Sequence, residues 1–364
     1  RLSADPKISV CLIEAGGKGR SPLVTTPLGV MLLPRLSNFN WQFSSTPQSA
    51  MNDREISIPR GKALGGSSAI NGMVYIRGHR DDYDDWAKDG CTGWGYDDVL
   101  PYFKKSEANT NTDLDDTMHG RDGPLSVTGQ RNPNPMDHAF IEAAGQLQMG
   151  HCPDFNVPSP EGVGVYQVTQ KDGRRHSTGA AFLQDIENRS NLKIETGAYV
   201  ERIKTSEDGG SVTLRGPDGT QSTLQARGEI ILSAGAIGSP DILLRSGIGA
   251  GAALQNAGNE VVSDLKGVGQ NLHDHVDVMV ISKSASITPY GVSLKALPKL
   301  VGEAFKWTFG RRGMLSSNMV EAGGFVRSSP TEMRPDIQFH LIPGRKSLRG
   351  RLIEYGHGVS LHTC

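Results

Sequence analysis

The sequence predicts an α/β fold in which glycine-rich turns join apolar strands to helices. Three stretches predict it. Arg60–Gly78 reads RGKALGGSSAINGMVYIRG and packs Gly61, Gly65, Gly66, Ser67, Ser68 and Gly72 into one short span. Lys7–Ile13 is an apolar-rich, strand-like run that stops at Glu14, just before Ala15, Gly16 and Gly17. Gly228–Ala234 (GEIILSA) reads as a buried strand delivered straight into Gly235 and a helix start. The composition agrees, because 45 glycines in 364 residues with only 6% aromatic residues suit a glycine-rich nucleotide-binding protein better than an all-helical one.

Each stretch has a chemistry. Glycines open backbone conformations closed to residues with a Cβ and let a ligand touch the main chain. Clustered backbone N–H groups, with Ser67, Ser68 and Asn71 as uncharged donors, suit a pyrophosphate, and the apolar tail Met73, Val74, Tyr75 and Ile76 suits a wall against a flat ring. A small-residue packing loop is the plain alternative. An acid ending the second strand of a dinucleotide-binding βαβ unit accepts hydrogen bonds from ribose hydroxyls; Glu14 is the candidate, followed by Gly16, and an exposed turn acid is the alternative. Ala234 and Gly235 again bring backbone close to a dinucleotide at a strand-to-helix turn.

The remaining elements follow in order. Charged His79–Trp86 begins a helix, Trp94–Lys105 has helical apolar spacing, and Pro135–Leu147 is amphipathic. His119-Gly120 and Asp122-Gly123-Pro124 mark a loop. Val163, Val165 and Val168 suggest a strand, and Ser177-Thr178 a helix start. Asn191–Ile203 reads as one strand, and Pro217-Asp218-Gly219 as a hairpin turn between short strands. Lys299–Phe309 suggests a helix, and Met314–Arg327 a strand with a bulge at Gly323-Gly324.

Bulk properties narrow the function. Lys plus Arg is 38 against 39 for Asp plus Glu, which offers no electrostatic footprint for nucleic acid. The longest apolar runs fall far short of the roughly 20 residues of a membrane helix, and mean hydropathy is −0.36. Cys11, Cys91, Cys152 and Cys364 show neither disulfide nor metal spacing, which points to reduced thiols and a cytoplasmic setting. His273-Asp274-His275 lacks a third metal ligand, so no metal is expected.

The run from Gly61 to Asp84, GKALGGSSAINGMVYIRGHRDDYD, resembles the first diagnostic motif of the glucose-methanol-choline (GMC) family of FAD oxidoreductases, and Gly235–Gly249, GAIGSPDILLRSGIG, resembles its second. Outside the motifs the chain is most similar to the branch of choline dehydrogenases and alcohol dehydrogenases that use an acceptor. The resemblance implies an FAD-binding Rossmann-like domain with a lid insertion over residues 1–275, and the start of an α+β substrate domain with an antiparallel sheet over 276–364. It also implies further segments before Arg1, where the G-x-G-x-x-G turn would lie, and after Cys364. FAD contacts are implied at Glu14, Gly16, Gly61, Gly65, Gly66, Ser67, Asn71, Gly72, Met73, Val74, Val200, Ala234 and Gly235, with Val200 beside the adenine. Where some members link FAD covalently to a histidine this chain has Ile70, so FAD is expected to be non-covalent.

The implied reaction is oxidation of a primary alcohol to an aldehyde by hydride transfer to the flavin, with electrons passed to a quinone or another acceptor. Choline dehydrogenase is the near alternative; a hydroxynitrile lyase or an inactive flavin-binding remnant are alternatives of other classes. The family's catalytic histidine would lie beyond Cys364, so none of His340, His357 or His362 is assigned that role. Glu321, in SSNMVEAGGF, is the pocket residue the resemblance implies, facing the substrate where it could pair with a trimethylammonium group. The resemblance also leaves open a homo-oligomer and peripheral association with the inner membrane.

Overall fold

The computed structural model describes residues 1–207, 209–345 and 355–364. In chain order its principal elements are strand β1 (Val10–Glu14); helices α1 (Arg80–Lys88), α2 (Tyr96–Ser106) and α3 (Pro135–Gln146); strands β2 (Gly162–Val165), β3 (Leu192–Thr196), β4 (Tyr199–Ser206), β5 (Gly209–Arg215) and β6 (Gln221–Ala226); helix α4 (Gly235–Arg245); strand β7 (Val278–Ser284); helix α5 (Leu297–Gly310); and strands β8 (Ala322–Val326), β9 (Ile337–Ile342) and β10 (Gly356–Thr363). They gather in two compact units. The first comprises Arg1–Gly19, Leu36–Ala69 and Leu183–His275, the second Arg20–Arg35, Ile70–Phe182 and Val276–Cys364.

In the first unit β1 runs parallel to β3, in register from Val10 opposite Leu192 to Glu14 opposite Thr196. A parallel pair needs a long crossover, and here the intervening chain supplies it. Strands β4, β5 and β6 form an antiparallel meander, with Pro217, Asp218 and Gly219 at the β5–β6 turn. Ile203, Val212 and Leu214 of the meander and Ile242 of α4 make the core, onto which Ile13, Ile230 and Leu232 pack.

Two expectations for this unit need correction. Asn191–Ile203 is two strands, because Gly197 takes φ +74°, a left-handed turn that ends β3 before β4 begins. Gly228–Ala234 is neither a strand nor buried. Ile230 and Leu232 face the core while Ile231 between them is 60% exposed. A strand exists only where a neighbour completes its hydrogen-bond ladder, and among the described residues none lies beside this segment.

The second unit is built on an antiparallel sheet ordered β7–β10–β9–β8–β2. Helix α1 starts where sequence chemistry places it: His79 Nδ1 accepts from Asp81 N–H at 3.1 Å, and Asp82 Oδ2 accepts from His79 N–H at 2.8 Å. Helix α3 starts at Asn134, whose Oδ1 accepts from Met136 N–H at 3.0 Å, with Pro135 at its first position.

The expected bulge is absent. Strand β8 pairs in unbroken register with β9 and β2 through Gly323 and Gly324. The glycines serve close approach instead, since a Cβ on Gly323 would stand 2.0 Å from Tyr166 Oη and 2.1 Å from the Phe339 carbonyl oxygen. The strand is also shorter than Met314–Arg327, because Met314–Ser316 coils into a 3₁₀ turn.

Candidate cofactor and substrate sites

In the first unit the end of β1 and the glycine-rich loop are fastened together. Leu64 N–H donates to the Gly17 carbonyl at 2.9 Å, and a Cβ on Gly16 would collide with the Lys62 carbonyl oxygen at 2.0 Å. Glu14 Oε1 accepts from Gly16 N–H at 2.7 Å. Burial raises the Glu14 carboxyl above its ordinary value, against the opposing effects of that N–H and of Lys62. Its other oxygen takes no hydrogen bond from the described residues, which leaves an acceptor for a hydroxyl.

The loop itself is a small closed turn. Gly61 N–H donates to Ser67 Oγ at 3.0 Å and Ser68 Oγ to the Gly65 carbonyl at 2.6 Å. Gly65 and Gly66 have φ of +94° and +54°, so both need glycine's freedom. Gly61 is packed, because a Cβ there would meet the Gly66 carbonyl oxygen at 2.1 Å. Around Gly66, Gly17 and Gly235, by contrast, a Cβ would meet nothing within 4 Å. These are bare backbone surfaces that a phosphate-bearing ligand could approach. Ala234 N–H is used internally, donating to Ser239 Oγ at 2.9 Å, and the Val200 carbonyl accepts from Arg245 Nη1 at 3.1 Å.

In the second unit Asn71–Val74 is held from several sides. Asn71 Oδ1 accepts from Met73 N–H and Arg175 Nη1, both at 3.0 Å. Met73 is fully buried at φ +58°, a backbone conformation costly for a non-glycine residue. Val74 pairs with Val168. A Cβ on Gly72 would meet nothing within 4 Å, while its carbonyl accepts from Asn318 Nδ2 at 2.6 Å. That bond places the segment Ser316–Glu321 beside Gly72.

Glu321 sits in a polar cluster that sequence reasoning did not assemble. It is 1% exposed. Its Oε2 accepts from Asn134 N–H at 2.7 Å, and its Oε1 accepts from Tyr290 Oη at 3.1 Å and from Ser317 Oγ. Ser317 Oγ also accepts from Met319 N–H at 3.0 Å, which holds Met319 at φ +68°. Asp137, one turn into α3, faces the same cluster and is fully buried. Of these residues only the Asn134-Pro135 helix cap is visible as a local sequence signal.

A second missed cluster ties down Arg77, near the end of the glycine-rich stretch. Arg77 Nη2 donates to Glu107 Oε2 at 2.5 Å. His119 Nδ1 lies 2.8 Å from Glu107 Oε1, and its Nε2 lies 2.8 Å from Asp154 Oδ2. Burial alone would lower the His119 pKa, but its bonds to Asp154 and Glu107 outweigh that and raise it to about 9. The imidazole is therefore a cation between two carboxylates at neutral pH. Its sequence signal, His119-Gly120, reads only as a turn.

The family model for GMC oxidoreductase matches residues 12–277. The chain is 43% identical to an alcohol dehydrogenase (acceptor) of Pseudomonas putida, covering 100% of this chain and 66% of that protein. It is 37% identical to an oxygen-dependent choline dehydrogenase of Brucella anthropi, covering 100% of this chain and 65% of that protein. Among solved structures, an FAD-dependent oxidoreductase from Chaetomium thermophilum superposes with a TM-score of 0.80 at 28% identity, over 89% of this chain and 58% of that one. The chain belongs to the GMC oxidoreductase family. It spans about two thirds of the length of the curated relatives it matches.

Proposed function

We propose that the chain binds FAD and takes part in oxidising an uncharged primary alcohol to an aldehyde, with the electrons passed on to a quinone or another acceptor. FAD, when bound, would supply the hydride acceptor. In the first unit, Glu14 would accept the ribose hydroxyls beside Gly16. The backbone of Gly61, Gly65 and Gly66, with Ser67, would hold the pyrophosphate, and Val200, Ala234 and Gly235 would meet the adenosine half. In the second unit, Asn71, Gly72, Met73 and Val74 would stand against the ring. The bare glycine backbone at Gly66 and Gly235 in the first unit, and separately at Gly72 in the second, fits a ligand read through the main chain.

The observation that carries the choice of substrate is the state of Glu321. Both its oxygens are already engaged by Asn134, Tyr290 and Ser317, so little carboxylate remains to attract a trimethylammonium group. Choline is the second reading, favoured by the likeness to the Brucella choline dehydrogenase. Anaerobic titration of the FAD-loaded protein with 1-butanol is expected to bleach the flavin band at a concentration at least about tenfold below that required for choline, a difference of about 1.4 kcal/mol. Bound flavin that no alcohol bleaches would overturn the proposal, and a preference for choline would establish the second reading.

We further propose that the flavin is held without a covalent bond, because Ile70 stands where a histidine would be needed and offers no nucleophile. Acid precipitation is expected to leave the yellow colour in the supernatant. A coloured pellet would contradict this. No helix among the described residues is long and apolar enough to cross a membrane.

A further inference from the structure

We propose that Asp137 and Glu321 hold a single proton between them, with Asp137 as the neutral acid donating to Glu321, and that Asp137 is thereby a positioning residue for the segment Ser316–Glu321. The argument is geometric. Asp137 is fully buried, and neither of its oxygens receives a hydrogen bond from any N–H or O–H group of the described residues. Asn134 brings Glu321 to it: the Asn134 N–H donates to Glu321 Oε2 at 2.7 Å, while the Asn134 carbonyl accepts from Asp137 N–H at 2.8 Å. Two ionised carboxylates so placed would repel each other, and each would carry the full cost of a buried charge. No ion pair among the described residues includes either acid. Among the described residues, Tyr290 also faces the pair and is itself a neutral donor to Glu321.

One proton resolves the conflict. Glu321 already accepts from Asn134, Tyr290 and Ser317, the pattern of an acceptor-only carboxylate, so the proton belongs on Asp137. Burial and the adjacent Glu321 raise the Asp137 carboxyl far above its ordinary range, in the same direction. The shared proton ties Asp137 of α3 to a chain of hydrogen bonds in which Glu321 accepts from Asn134 N–H and from Ser317 Oγ, and Ser317 Oγ accepts from Met319 N–H. Asn318, between Ser317 and Met319, donates to the Gly72 carbonyl, so the acid pair holds the segment that abuts Gly72.

The test is proton linkage to folding, measured by urea unfolding of the purified protein at pH 5, 7 and 9. An acid protonated in the native state and ionised in the unfolded one loses up to tenfold in folding equilibrium constant per pH unit, from its unfolded value near 4 up to its folded value. Asp137→Asn keeps the shape and a donor but has nothing to titrate. It is expected to gain on the wild type by up to tenfold per pH unit between pH 5 and 9, and titrations elsewhere, such as that of His119, cancel in the difference. Asp137→Ala removes the donor as well and is expected to be less stable than Asp137→Asn at every pH. A wild type and Asp137→Asn that stay parallel from pH 5 to 9 would overturn the proposal, as would an Asp137→Ala protein equal to Asp137→Asn. The measurement needs neither flavin nor substrate, so it stands or falls apart from the assignment of the reaction.

Discussion

Replacing His119 by alanine is expected to lower the free energy of unfolding of the second unit by about 3–5 kcal/mol, the cost of leaving buried charge without its partner. The size follows from what the imidazole separates. Glu107 and Asp154 are both buried, and each accepts one ring N–H at 2.8 Å. Without the ring, Arg77, paired with Glu107, is the remaining cation beside them among the described residues, and Asn109, Gly120, Asn156 and Gln167 offer only neutral donors. The pH dependence gives a sharper check. His119 has its folded pKa raised to about 9 from an ordinary 6.5, so the folded state binds the proton more tightly. Its stabilisation is fully present below about 6.5 and is lost as pH rises through about 9. The gap between the wild type and His119→Gln, which keeps a neutral donor, should therefore narrow between pH 6.5 and 9 in urea melts. A gap that stays constant across that range would show that the ring is neutral.

Gly72→Ala is expected to weaken flavin binding at least about tenfold, or 1.4 kcal/mol, while leaving the unfolding midpoint within about 0.5 kcal/mol of the wild type. The added methyl group meets no protein atom within 4 Å, so the protein itself has no reason to object. A ligand laid against bare backbone does. Gly61→Ala makes the contrast, since its Cβ would stand 2.1 Å from the Gly66 carbonyl oxygen and must distort the loop. That variant should lose both flavin and stability. Flavin titration by fluorescence quenching, run beside urea melts, separates the two. A Gly72→Ala protein that binds FAD as tightly as the wild type would remove Gly72 from the proposed ring wall.

What the sequence discloses here depends on how local the cause is. The turn at Pro217-Asp218-Gly219 and the start of α3 at Asn134-Pro135 are set by neighbouring residues, and both are legible. Gly228–Ala234 has every local mark of a buried strand, yet strand formation rests on a partner elsewhere in the chain, which no local pattern discloses. Gly323-Gly324 misleads for the same reason: the atoms that exclude a Cβ belong to Tyr166 and Phe339 at Gly323, and to Gly162 and Val163 at Gly324. Among the site residues, Glu14 and Gly16 are sequence neighbours and their mutual hydrogen bond could be anticipated. The company of Glu321 could not, because Asp137, Asn134 and Tyr290 come from distant stretches, and the one local signal among them, the helix cap at Asn134, does not point to Glu321. His119 was hidden behind the turn chemistry of the glycine that follows it.

The order of the second unit's sheet has a consequence for how the protein is made. Strand β2 pairs with β8, so Val163 must wait for Gly324, and β8 in turn needs β9. At the roughly 5–20 residues per second of synthesis, β2 emerges from the ribosome roughly 8–30 s before its partner exists. During that interval it is an open edge, free to pair with the wrong strand or with another nascent chain. Its composition blunts the hazard. β2 is four residues long and two of them, Gly162 and Gly164, are poor strand formers that hold no register of their own. Gly164, where a Cβ would stand 2.1 Å from the Cys152 carbonyl oxygen in the finished sheet, thus also keeps the waiting strand from committing early.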